Sequence, residues 1–263
     1  FTYPYEKETG MNAKMSVSEI KKISYETEEE LQAEQLVEML PDPMEQPKEN
    51  TSQEIPFVEN PTVPEFIKAK NRLTGAMRGT VYHRVFELFD FGRELTFSSV
   101  QDMIQGFADA GLLTKEEREC IRERDFLIFA ESNLGRRMKA AFERGELYRE
   151  AQFVLGLYES EIEEFKRVAE IMGKEQRMEI PQPVEPAGDI VLIQGIIDAY
   201  FVEGNKIIIA DYKTDFVREP SQLINHYYVQ LELYKRAVEQ ITRKPVTEKI
   251  LYSVTLGKEV TLK

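Results

Sequence analysis

Apolar positions along this chain change their spacing partway, and the change suggests its architecture. Between residues 65 and 90, Ile67, Leu73, Met77, Val81, Val85, Leu88 and Phe89 are spaced to line one face of an α-helix. The helical period continues through residues 98–147 and predicts two or three further helices, broken around Gly111 and Gly135. Beyond that the pattern alternates between types. Ala151–Leu157 reads as a strand, Ser160–Met172 as a helix, and Ile190–Val202 and Lys206–Tyr212 as two strands. Pro220–Ile241 reads as a long amphipathic helix and Thr247–Thr255 as a final strand. Helices followed by a small sheet that is itself flanked by helices predict an α/β domain.

Ahead of this region, Ser16-Val17-Ser18-Glu19 has the form of a capping box, and Ile20, Ile23 and Leu31 follow at helix-like intervals. One short helix beginning near Ser18 is expected. Tyr25–Glu65 carries 12 acidic residues against one basic residue, Lys48, with six prolines from Pro41 to Pro64. A segment so charged and so poor in apolar side chains reads as a solvated, partly disordered linker. The expected division is therefore an N-terminal helical segment with an acidic linker over residues 1–64, and a compact domain over 65–263. A chain that begins at Phe1 rather than Met is expected to be a piece of a longer protein.

With 263 residues, 42% of them hydrophobic, the chain can bury one sizeable core. No stretch approaches the ~18 apolar residues of a membrane helix, and no signal-peptide pattern opens the sequence. A single cysteine, Cys120, excludes an internal disulfide framework, a cysteine zinc cage and a four-cysteine iron–sulfur cluster, which fits a reducing, intracellular compartment. The net charge of −13 argues at first against a nucleic-acid partner, since phosphate contacts need Lys and Arg. Residues 1–70 hold 15 acidic and 7 basic side chains, however, leaving 32 acids and 27 bases elsewhere. The remainder is only mildly acidic, and its charge excludes little.

Chemistry concentrates in Gln194-Gly-Ile-Ile-Asp198 and Asp211-Tyr212-Lys213-Thr214, two β-rich runs joined through Gly204-Asn205. That dipeptide suits a two-residue hairpin turn, in which Glu203 faces Lys206 and Asp198 faces Asp211. Two opposed carboxylates repel, so a positive charge must compensate them. Lys213, two residues past Asp211, falls on the same strand face. Two carboxylates beside an ammonium suit Mg²⁺ or Mn²⁺. A structural Asp–Lys–Asp ion-pair cluster accounts for the spacing equally well.

The order of these elements resembles the RecB-like branch of the PD-(D/E)XK nuclease superfamily. Gly79-Thr-Val-Tyr-His83 precedes the hairpin and Gln230-Leu-Glu-Leu-Tyr234 follows it, as the Gly-x-x-x-His and Gln-x-x-x-Tyr helices of that branch do. The likeness extends over roughly residues 73–256 and is greatest to the C-terminal nuclease region of AddA-type helicase/nuclease proteins. It implies a restriction-endonuclease-like α/β core, a small mixed sheet with its active site on a β-hairpin. It further implies catalysis by Asp198, Asp211 and Lys213, with the metal held by His83, Asp198, Asp211 and the Tyr212 carbonyl. Gln230, Tyr234, Glu150 and Gln194 would bind substrate or support the site, although Gln152 stands where the family often has Pro. The implied activity is metal-dependent exonucleolytic cleavage of unwound single-stranded DNA ends in double-strand-break repair and recombination, in the bacterial cytoplasm. An AddB-type protein would be the partner. No Gly-x-x-x-x-Gly-Lys-[Ser/Thr] loop occurs, so ATP would be used only by a motor region outside this chain. A non-catalytic DNA-binding or subunit-docking module of the same fold, and a structure-specific endonuclease, are the alternatives left open.

Overall fold

A computed structural model describes residues 14–22, 75–173, 185–217 and 219–262. Among them are eight helices and a six-stranded mixed sheet. In chain order the elements are β1 (Lys14–Ser16), α1 (Val17–Lys22), α2 (Gly75–Leu88), α3 (Phe97–Asp109), α4 (Lys115–Cys120), α5 (Glu123–Glu131) and α6 (Asn133–Glu143). They continue with β2 (Leu147–Tyr158), α7 (Glu159–Gly173), β3 (Ile190–Glu203), β4 (Lys206–Lys213), α8 (Pro220–Thr242), β5 (Val246–Ser253) and β6 (Lys258–Leu262). The expected α/β architecture is present. The acidic stretch, and the start of the helix expected over residues 65–90, lie outside the described residues.

β3 organises the sheet. One edge pairs antiparallel with β2 along nearly its whole length. The other edge is shared: β4 takes Ala199–Glu203, antiparallel, and β1 takes Leu192–Gln194, parallel. β5 lies parallel to β4, and β6 closes the far edge against β5. Two apolar layers cover this sheet. Val17 and Ile20 of α1, Ile162, Val168 and Ala169 of α7, and Leu223, Leu231 and Leu233 of α8 bury one face. Val85, Phe86, Ile104, Phe126, Phe129, Leu134 and Met138 of α2, α3, α5 and α6 bury the other.

The expected capping box is formed, with Ser16 as the cap. The Ser16 N–H donates to Glu19 Oε2 at 2.6 Å, and the Glu19 N–H donates to Ser16 Oγ at 3.2 Å. Four helices, not two or three, fill residues 97–143, because Thr96, Thr114 and Ser132 each cap a new start. Gly111, with φ of +72°, does lie at a break. The break expected around Gly135 falls at Ser132, and Gly135 is itself the third residue of α6. A Cβ there would lie 2.1 Å from the Phe129 carbonyl oxygen, so the absent side chain is what lets α6 pack against α5. β2 begins at Leu147, four residues before its apolar run, and β1 and β6 are further strands that the periodicity did not signal.

Candidate active site

The hairpin turn follows the expected pairing. Gly204 adopts φ of +63° while Asn205 does not enter the left-handed region, the pattern of a type II′ turn, and Glu203 pairs with Lys206. Registry runs from that pair to Ala199–Ala210 and stops there. Asp211, Tyr212 and Lys213 continue along β5 opposite Leu251, Tyr252 and Ser253, so β3 and β4 separate at the point where the two aspartates come level. Asp198 and Asp211 are therefore not a ladder pair. Instead, Asp198 Oδ2 accepts the Tyr212 N–H at 2.8 Å across the opening.

Helices from both layers reach this opening. From α2, His83 Nδ1 lies 3.2 Å from Asp198 Oδ1. The Phe86 ring, one turn on, stacks on the Tyr212 ring with centroids 3.9 Å apart and planes 6° apart, fixing α2 against β4. At Gly79 a Cβ would come 3.1 Å from Thr214 Oγ1, close enough that the threonine side chain would have to give by a few tenths of an ångström. From α8, Gln230 Nε2 donates to Asp211 Oδ1 at 3.1 Å and to the Tyr234 hydroxyl at 2.7 Å. Tyr234 is otherwise core, its ring edge-on to Phe153. Lys213 Nζ lies 2.8 Å from Asp211 Oδ2 and 4.2 Å from the centre of the Tyr227 ring. The lysine contact is an ion pair with no well-directed hydrogen bond, for Asp211 Oδ2 and Gln230 Oε1 are both buried without hydrogen-bond partners.

Glu150 faces the same opening. It occupies the β2 position between Arg149, paired with Ala199, and Ala151, paired with Ile197, and so stands level with Asp198. Its φ of +46° is a left-handed conformation that a non-glycine residue adopts only under constraint. The constraint is visible next door, where the Arg149 guanidinium donates to the Phe86 and Phe89 carbonyls at the end of α2. Gln194 is not brought into the site: it is exposed on β3, four residues from Asp198, about 13 Å at the rise of a strand. Sequence reasoning missed the Asp215–Tyr227 pair, in which the Tyr227 hydroxyl donates to Asp215 Oδ2 while its ring underlies Lys213. The available signal was Tyr227 standing three residues before Gln230 on one helical face.

Electrostatics follow from crowding these charges into a buried space. Burial, with the Asp198 charge adding to it, pushes Asp211 up to about 6 against the opposing Lys213. Burial, then Asp198 and Glu87, pushes Glu150 up to about 7. Burial opposes ionisation of Asp198 too, but His83, Lys213 and the Tyr212 N–H outweigh it and hold that carboxyl below its ordinary value. His83 and Lys213 are raised despite burial, by Asp198 and by Asp211 respectively. Lys213 is thus an ammonium at neutral pH.

A dependence of stability on pH follows. Glu150 and Asp211 hold protons more tightly folded than unfolded, so the stability they confer is complete below their ordinary values of 4.5 and 3.8 and is lost as pH rises through about 6 to 7. His83 acts in the same sense above 6.5, and Asp198 in the opposite sense only below 3.8. With a chelator present, the melting temperature is expected to fall by roughly 5 °C between about pH 5 and about pH 8, and Glu150→Gln to reduce that fall. A melting temperature that climbs across this window contradicts the assignment.

Among the described residues, no group of three or more His, Cys, Asp and Glu side chains forms a ready-made metal cage. The donors present fit a different type of site. Mg²⁺ retains water and is commonly held by one or two carboxylates together with substrate phosphates, and here two carboxylates converge with one buried oxygen lacking a hydrogen bond.

Comparison with known proteins gives this geometry its class. Residues 60–260 match the model of the PD-(D/E)XK nuclease superfamily. The chain belongs to that superfamily, and the domain is a nuclease domain. It is 35% identical, over 100% of its own length, to a protein of Lachnoclostridium phytofermentans that is named as an ATP-dependent helicase/nuclease subunit. Proteins of the same name from Geobacillus kaustophilus and Clostridioides difficile are 34% and 31% identical over 97% and 96% of the chain. These similarities agree with the RecB-like resemblance. The chain spans 22% of the first of these relatives and 18% of the other two.

Proposed function

We propose that this domain is a divalent-metal-dependent deoxyribonuclease that hydrolyses phosphodiesters of single-stranded DNA, as the cutting part of a longer ATP-dependent helicase/nuclease. The observation that carries this reading is the convergence of Asp198, Asp211, Lys213 and His83 on one opening in the sheet, with Asp211 Oδ2 buried against the Lys213 ammonium. In this reading Asp198 and Asp211, with the Tyr212 carbonyl and His83, would hold Mg²⁺ or Mn²⁺. Such an ion lowers the pKa of bound water and neutralises charge on a phosphoryl oxygen. His83 can be a ligand only when neutral, so ion binding would be linked to loss of its proton.

The remaining roles belong to the chain's own residues. Lys213, held as a cation by the two aspartates, offsets charge developing on the scissile phosphate. Gln230 fixes the Asp211 carboxylate through its Nε2. Glu150, half-buried and raised to about 7, can keep a proton at the mouth of the site near neutral pH. The wider assembly belongs to the same proposal: a motor region that uses ATP, an AddB-type partner, and a role in double-strand-break repair in the bacterial cytoplasm. The motor region and membership of a complex are supported by the relatives' name and the small share of their length that this chain spans; the AddB-type partner, the repair role and the compartment are what the RecB-like resemblance implies.

The test is degradation of end-labelled linear and circular single-stranded DNA with Mg²⁺, with Mn²⁺ and with EDTA. Metal-dependent loss of linear strands with circles spared is the expected result. Equal degradation in EDTA rejects the metal. Cutting of circles or of branched duplexes moves the assignment to an endonuclease. DNA binding without cleavage, even when the full complex is restored, leaves a docking module.

A further inference from the structure

Lys213 is followed by a short connection to α8, and that connection is fixed at several points. Thr214 Oγ1 sits against Gly79 of α2. The Asp215 side chain accepts from the Tyr227 hydroxyl of α8, and its carbonyl accepts from Thr255 Oγ1 after β5. Val217 is buried in the core beneath α8. Between these anchors Phe216 is 87% exposed, more than any other large hydrophobic residue among those described. A loose loop can leave an aromatic ring in water by default. This loop is tethered on both sides of Phe216, and the ring still points away from every apolar layer, forgoing what burial would contribute.

Resting on the nuclease reading above, we propose that Phe216 is the aromatic platform on which a base of the substrate strand stacks beside the scissile phosphate, and that it sets a preference for single strands. Phe216 is three positions on from Lys213, at most about 11 Å of extended chain, which puts its backbone within reach of the opening that holds Asp198 and Asp211. Stacking suits a partner of unspecified sequence, since every base presents a π-face. Bases within a duplex are already stacked on their neighbours and offer no such face to the ring. The contact therefore rewards single strands.

The chain has no tryptophan, so Phe216→Trp installs a unique fluorophore. In EDTA, its emission is expected to be quenched by oligo(dT) and far less by an abasic oligonucleotide of equal length. In cleavage assays with the 263-residue chain, Phe216→Ala should raise KM for single strands about tenfold with kcat within about twofold. Duplex cleavage should change little, and Phe216→Trp should behave as the parent does. Equal quenching by the abasic strand, or an unchanged KM in Phe216→Ala, overturns the stacking role while leaving the nuclease intact. A parent chain that neither binds nor cuts DNA overturns both.

Discussion

Asp211→Asn is expected to reduce metal-dependent cleavage of single-stranded DNA by about a thousandfold or more while leaving the melting temperature at neutral pH within a few degrees of the parent's. The activity loss follows from removing one of two carboxylates that would grip the ion, where several kcal/mol of transition-state stabilisation is at stake at about 1.4 kcal/mol per tenfold. The mild effect on stability follows from the state of Asp211 itself. Its carboxyl is fully buried and raised to about 6, which means that the fold prefers it uncharged. An asparagine that keeps Oδ1 for the Gln230 Nε2 donor turns its Nδ2 toward Lys213 Nζ, a loss that relief of the repulsion with Asp198 offsets in part. Lys213 retains Asp198 as a counter-charge. Substantial metal-dependent cleavage in this variant would show that Asp211 does not hold the ion. A collapse in stability would show that the carboxylate is structural.

The asymmetry between the two aspartates explains what the sequence could and could not convey. The turn at Gly204-Asn205 and the alternation around it were legible because they depend on neighbours in the chain, and the Glu203–Lys206 pair forms as the numbering requires. Extending that numbering to Asp198 and Asp211 fails for a non-local reason. β4 leaves β3 to follow β5, and β1 takes the vacated edge farther along. β1 is three residues long, with no periodicity to detect, and it exists because the long β3 offers an unpaired edge there. Glu150 was legible only through family likeness, because its left-handed backbone answers to Arg149 reaching the end of α2, a contact across 60 residues. His83, Gln230 and Tyr234 were legible as motif positions. Their contacts were not, since only the fold shows Gln230 bridging Asp211 and the Tyr234 hydroxyl.

Lys213→Met separates the electrostatic and catalytic uses of the same ammonium. Near pH 8, its loss leaves Asp211 buried and ionised without its ion-pair partner, and removing one partner of a buried ion pair typically costs about 3–5 kcal/mol. The deficit should shrink as pH falls, because Asp211, no longer held down by Lys213, takes up a proton at a higher pH than in the parent and then needs no counter-charge. Adding Asp211→Asn to Lys213→Met removes the stranded charge and should restore most of the lost melting temperature across the whole range, since the two residues act as one unit. Cleavage should fall by a factor of roughly 100 to 1,000 in Lys213→Met assayed well below its melting temperature, because an ammonium aimed at developing phosphate charge has no substitute there; the double variant, which also lacks an ion-holding carboxylate, serves the melts alone. Thermal melts across pH, run beside cleavage of labelled single strands, decide the matter. Near-parental cleavage by folded Lys213→Met would reduce Lys213 to a structural counter-ion, whereas slow cleavage by a variant shown to be folded at the assay temperature assigns it to the reaction.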